Sequence, residues 1–203
     1  WYAIIVGGNN STPASSSRIV RISFGTNITN LNPVGTNWGN VGTLTYPSDL
    51  HVFNDNGSWY GFTLNANGNS ITRFNFGASF ENTPTGINLG NIGNLNFPTG
   101  IFAMNDNGNW HVFICNQGSS TISRLDFGTS LLSTPVGVNL GNPNGVLQQP
   151  RDIYMIKFCG QITGFVVNQL SNDLLQLSLS SIISSPTASS LGNIANFSFP
   201  HSI

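Results

Sequence analysis

Residues 98–149 read PTGIFAMNDNGNWHVFICNQGSSTISRLDFGTSLLSTPVGVNLGNPNGVLQQ, a run of short apolar segments divided by turn signals. Asn105-Asp106-Asn107-Gly108 and Asn116-Gln117-Gly118-Ser119 are hairpin signals, and Pro135 and the stretch from Gly141 to Gly145 break the chain again. Between them lie Gly100 to Met104, Trp110 to Cys115, Thr121 to Phe127 and Val136 to Leu140. Each has strand length, is rich in β-branched and aromatic residues, and lacks helical period. In the second segment both faces are apolar, Trp110, Val112 and Ile114 on one and His111, Phe113 and Cys115 on the other, so it needs packing partners on both sides. The corresponding third segment of the preceding unit sets Phe74 and Phe76 against Ile71, Arg73 and Asn75, an alternation that predicts a strand nearer solvent.

The same unit is written roughly four times. Pro33, Pro84, Pro135 and Pro186 stand 51 residues apart, as do Gly39, Gly90, Gly141 and Gly192, each in a (W/L)-G-N string. Phe24, Phe76, Phe127 and Leu179 keep the same beat within one residue. Four strands per unit, the inner ones sandwiched, predict an all-β fold: a β-propeller of four-stranded blades packed face to face. Residues 1–203 then form one propeller segment, with an incomplete blade over 1–46, units at 47–97, 98–149 and 150–199, and the start of a further inner strand at 200–203. This register predicts an arc of a larger ring, continued at both open ends by the rest of the polypeptide or by a partner chain. Trp1 to Phe24 spans 23 residues against 17 from Trp59 to Phe76, which places an insertion near Asn10 to Ser16, at a polar hairpin tip.

Three strings carry a family resemblance: Phe97-Pro98-Thr99-Gly100-Ile101, Asn105-Asp106-Asn107-Gly108-Asn109-Trp110 and Ser123-Arg124-Leu125-Asp126-Phe127. They resemble the NHL-type propeller repeat, with its P-x-G-I inner strand, D-x-x-G-N turn and R-I-x-x-F third strand. The units are also similar to repeats in large secreted and cell-surface proteins of Bacteroidota, including adhesins and type IX secretion cargo. That likeness implies an exported bacterial protein concerned with adhesion, gliding or glycan contact.

Composition narrows the partners. Only 6% of the residues are charged and the net charge is −1, so the basic face that nucleic acid requires is missing. No apolar run reaches the length of a membrane span. Asn alone supplies roughly thirty residues, about three times its ordinary share, and turn chemistry explains such an excess. Two cysteines make no framework: Cys115 falls in a core column and Cys159 in a turn column, at opposite ends of a strand. No metal site or cofactor is expected from either.

A scaffold repeats, whereas a site is particular. Arg21, Arg73 and Arg124 recur once per unit, which points to a structural tie such as a bridge to a turn carbonyl. Asp55 and Asp106 recur inside N-D-N-G turns and lack the rest of a calcium loop. The columns that disagree are those at the start of each inner strand. There Asp49, Arg151, Asp152 and His201, with His51 nearby, form the candidate ligand-binding set at one mouth of the channel. No G-x-S-x-G elbow or paired-carboxylate spacing is present, and no catalytic residue is assigned. The chain is therefore expected to be a non-enzymatic, extracellular module that binds protein or glycan at the propeller face. The alternative is a metal-dependent propeller hydrolase, lactonase or lyase, its ion held by Asp49, His51, Asn54, Asn105 and Asp152.

Overall fold

A two-residue hairpin turn with both residues at positive φ matches the right-handed twist of its strands, and Asn-Gly suits it best. Asn56-Gly57 (φ 49° and 85°), Asn107-Gly108 (51° and 84°) and Cys159-Gly160 (48° and 80°) all adopt it. In the first two, the side-chain oxygen of Asn54 or Asn105 also accepts the N–H of the turn glycine, at 3.1 and 2.9 Å. The Asn-Asp-Asn-Gly strings are self-capped turns, as their sequence implied.

The computed structural model describes residues 1–8, 16–194 and 196–203, and among these it has fifteen strands. The insertion expected near residues 10–16 lies outside the described residues, Ser16 excepted. The chain divides into two compact units, Trp1–Gly90 and Asn91–Ile203. The first holds β1 (Tyr2–Gly7), β2 (Arg18–Ser23) and β3 (Val34–Gly39) in one sheet, and β4 (Pro47–Asp55), β5 (Ser58–Asn65), β6 (Ser70–Gly77) and β7 (Thr85–Gly90) in another. In the second unit, β8 (Pro98–Asp106), β9 (Asn109–Asn116), β10 (Thr121–Gly128) and β11 (Val136–Gly141) form one sheet. Its other sheet is β12 (Pro150–Phe158), β13 (Gln161–Asn168), β14 (Asp173–Leu179) and β15 (Thr187–Ser190). Every sheet is an antiparallel meander, the blade of a β-propeller.

The apolar faces of paired sheets make one core in each unit. Ile19, Leu44, Phe74 and Phe76 anchor the first; Phe113, Ile122, Ile153, Val166, Leu175 and Leu177 belong to the second. β5 and β9 are buried along most of their length, as two apolar faces require. The third strands are drier than their alternation suggested: β6 and β10 are almost wholly buried, and exposure begins at β7 and β11. A meander whose outer strand flanks the third explains the difference. Between β8 and β12 the backbones approach so closely that a Cβ on Gly100 would sit 2.4 Å from Asp152 Cα, so only glycine serves there. Thr99 Oγ1 seals the same contact by donating to the Pro150 carbonyl at 2.9 Å.

Asparagine side chains hold the loops. Asn65, Asn116 and Asn168, each fully buried at the end of a second strand, accept the backbone N–H of Thr45, Asn96 and Gln148 at 3.0–3.1 Å. Their amide nitrogens donate onward, Asn65 to Thr72 Oγ1 (2.9 Å), Asn116 to Ser123 Oγ (2.8 Å) and Asn168 to an Asp173 carboxylate oxygen (3.0 Å). Thr72 and Ser123 pass the chain on to the carbonyls of Gly42 and Gly93. A second column, Asn40, Asn91, Asn142 and Asn193, grips both backbone groups of Leu44, Leu95, Leu147 and Phe197 at 2.5–3.1 Å. The (W/L)-G-N string is this clamp, its glycine bending the chain at positive φ just before the asparagine.

Replacing Asn116 by Ala strands the Asn96 N–H without a protein acceptor and should cost about 3 kcal/mol, read as a lowered denaturant midpoint at unchanged m-value. At the Cys159 turn position, Cys159→Asn relieves a left-handed residue ill suited to it and should add about 0.5–1 kcal/mol, seen as a raised melting temperature.

Candidate functional site

Each inner strand opens with a register irregularity, between Pro47 and Leu50, Pro98 and Gly100, and Pro150 and Asp152. In the second unit the mouth of β12 gathers three of the expected residues. Arg151 Nη1 donates to Gln117 Oε1 at 2.8 Å and Nη2 to His201 Nδ1 at 2.7 Å. Arginine has no acceptor, so Nδ1 accepts and the neutral ring carries its proton on Nε2. That N–H faces the Gln169 amide nitrogen at 3.2 Å, while the Gln169 oxygen takes a bond from Gln117 at 3.0 Å. Asp152 accepts the N–H of Ile153 at 2.8 Å and of Ile203 at 2.9 Å, one on each carboxylate oxygen.

The other two expected residues sit on β4 in the first unit. Asp49 accepts the Leu50 N–H at 2.7 Å, as Asp152 does that of Ile153, and its carbonyl accepts Thr63 Oγ1 at 2.7 Å. His51 lies edge-on to Phe53 with ring centres 5.7 Å apart. The ion-holding set does not assemble on these residues. Asn54 and Asn105 spend their oxygens on the hairpin turns, and Asn54 stands five residues along β4 from Asp49, about 16 Å of extended chain. Among the described residues no three His, Cys, Asp or Glu side chains come together as a metal site.

Sequence reasoning missed one polar group. His111 Nδ1 lies 2.6 Å from Asp126 Oδ1, and Arg124 holds both oxygens of the same carboxylate at 2.8 and 3.0 Å. Arg124 Nη1 continues to the Ile182 carbonyl at 3.0 Å, just as Arg21 Nη1 reaches the Phe80 carbonyl at 2.8 Å. Arg21 and Arg124 thus each tie one sheet to the loop of the next, and His111 and Asp126 brace the second of these ties. A cleft of about 340 Å³ lies alongside, lined by both residues and by Asp106, which pairs with Lys157. The signal was in the repeat: the His111 column holds Tyr2, Tyr60 and Thr163, and the Asp126 column Ser23, Asn75 and Ser178.

Burial raises the Asp126 carboxyl, but bonds from Arg124 and His111 outweigh it and hold the group below the usual carboxylate range. Asp173, bonded by Ser171, Ser190 and Asn168, is likewise depressed against its burial. As pH falls below about 4 the unfolded chain takes up these protons first, so the stability the two groups contribute, complete above that pH, drains away as their folded-state values are passed. Unfolding titrations across an acid pH series should show this slope, and Asp126→Asn should flatten part of it.

No family model matches the sequence, and no curated protein aligns with it. Solved structures do. A 6-phosphogluconolactonase-like protein of Bacteroides uniformis superposes with a TM-score of 0.62 at 12% identity, over 94% of this chain and 53% of its own. The catalytic domain of a Coprinopsis cinerea GH62 α-L-arabinofuranosidase gives 0.62 at 12%, over 98% and 66%. An exo-β-1,3-galactanase of Phanerochaete chrysosporium, solved with β-1,3-galactotriose, gives 0.62 at 9%, over 94% and 47%. The chain spans about half to two thirds of the length of these neighbours. They correct the expectation of a non-enzymatic binding or spacer module, since the propellers this chain resembles are glycoside hydrolases and a lactonase-like protein. The expectation erred in weighing missing motifs: a propeller brings polar groups from separate strands to one place, so such a site has no fixed spacing in sequence. What the likeness shows is the fold: the chain is a β-propeller.

Proposed function

We propose that this chain is the propeller of a sugar hydrolase, cleaving a glycosidic bond or a sugar lactone, with Arg151, Asp152 and His201 binding the substrate. The observation that carries the proposal is the oriented guanidinium at the mouth of β12, fixed by Gln117 and His201. A guanidinium held in one orientation presents its N–H donors as a planar fork, a geometry that suits the hydroxyl or carbonyl oxygens of a sugar. The His201 N–H suits a third oxygen. Asp152, anchored by two backbone N–H groups, retains lone pairs with which to orient a hydroxyl or take a proton from attacking water. No metal step is derived, because among the described residues no three His, Cys, Asp or Glu side chains come together. Asp49 and His51 are proposed as polar contacts at the corresponding strand start of their own unit.

Two finer assignments belong to the same reading. The repeat is of NHL type, supported by the strings from Phe97 to Ile101, Asn105 to Trp110 and Ser123 to Phe127. The protein works outside the cell, supported by a charge-poor sequence rich in Asn, Ser and Thr and by the extracellular setting of glycans.

Purified protein assayed with aryl β-galactosides, aryl α-L-arabinofuranosides, β-1,3-galactotriose, xylotriose and gluconolactone should turn over at least one of them. Arg151→Ala should then lower kcat/KM by roughly 10- to 100-fold, the worth of a hydrogen bond to a charged group. A folded protein that leaves the whole panel intact would sink the proposal.

A further inference from the structure

The loop that receives the arginine tie creates a niche beside the start of the second strand, and the two units fill it differently. In the second unit Leu131 and Ile182, both buried, occupy the loop column, followed by Leu132 and Ile183, and the niche beside Ile182 is the cleft of about 340 Å³ next to His111 and Asp126, without an aromatic wall. In the first unit that column holds Phe80, followed by Glu81, and the niche opens into a cleft of about 480 Å³ walled by Trp1, Tyr2, Trp59 and Phe80. Small-molecule sites span roughly 300–1,000 Å³. Phe80 is the hub, its ring centre 4.7 Å from that of Trp59 and 6.0 Å from that of Tyr2. Trp1 is 65% exposed and Tyr2 38%, so their rings present free area at the rim.

One edge of this aromatic wall is polar. Tyr2 Oη donates to Glu81 Oε1, and Arg21 Nη1 donates to Glu81 Oε2 at 2.9 Å. Arg21 also lies over the Tyr2 ring, 5.5 Å from its centre, which ties the polar edge to the apolar face. Glu81 remains 58% exposed and has about four lone-pair positions, of which these two bonds use half. The charges compensate each other, so the cleft favours no anion. A hydrocarbon tail would leave the carboxylate dry, and a charged peptide would find no unopposed charge. A ring with C–H faces and hydroxyl edges meets both requirements.

We propose that this cleft is a saccharide-binding subsite, in which a neutral sugar ring stacks on Trp1, Tyr2, Trp59 and Phe80 while its hydroxyls bond Glu81. The subsite rests on the sugar-hydrolase reading above and adds to it a second place of sugar contact, within the first unit. Saturable quenching or a blue shift of tryptophan emission on adding β-1,3-galactotriose or xylotriose to the whole protein, checked by calorimetry, tests it.

At least one of the two trisaccharides should bind with a dissociation constant of about 1 mM or tighter. Trp1→Ala and Glu81→Gln should each weaken binding roughly five- to tenfold, both residues being exposed enough to change without unfolding the chain. Arg151→Ala should leave the tryptophan response of the cleft unchanged while lowering kcat/KM by the roughly 10- to 100-fold expected above, which separates the two proposals. Binding without turnover would retire the hydrolase and keep the subsite. No saturable response to either sugar, or a response that both Trp1→Ala and Glu81→Gln leave untouched, overturns the subsite.

Discussion

A primary amide accepts at one atom and donates from another, and here it is placed where two backbone segments must be held in register. Asn65, Asn116 and Asn168 each take one N–H from the loop entering their own sheet and return a hydrogen bond to the third strand. A carboxylate at the same place could accept but not donate, and would bury a charge. A hydroxyl could not span both partners. The strands, the loops and the mouths of the inner strands all stand on these locks, which is why a chain with so few charges can still be well ordered.

Charge, being scarce, is spent at particular places. Arginine ties a sheet to the next loop at Arg21 and Arg124, and in the second of these a carboxylate and an imidazole brace the guanidinium. Some charged residues do not follow the repeat: Arg151 stands at the start of β12, and Glu81 sits where the two later copies have Leu132 and Ile183. A repeated scaffold makes such departures conspicuous, because the surrounding geometry is supplied in several near-copies that differ only in what they present.

Most of the architecture could be read from spacing and turn chemistry. The positive-φ pairs at Asn56-Gly57 and Asn107-Gly108 and the double-faced apolar pattern of β5 and β9 are local properties, and local properties show in a sequence. The burial of β6 and β10 was less legible, since it depends on what lies across the sheet. Of the candidate residues, Arg151 and His201 are hydrogen-bonded to each other, but the glutamines beside them do not stand out in a sequence full of amides. His111 and Asp126 are less legible although their columns disagree between copies, because they lie on the second and third strands and meet only through strand pairing. The aromatic cleft joins Tyr2 to Glu81 across 79 residues, a distance no motif spans.

The amide clamps also bear on how quickly the protein can be made. Asn40, Asn91 and Asn142 close loops of four or five residues, and Asn65, Asn116 and Asn168 close spans of twenty. Short closures forfeit little chain entropy and form early, whereas β-proteins stitched by distant pairings fold slowly. Each meander therefore has the means to fix its own register as it leaves the ribosome, before the next is synthesised, so that growth of the propeller becomes a sequence of small, nearly independent closures rather than one late collapse.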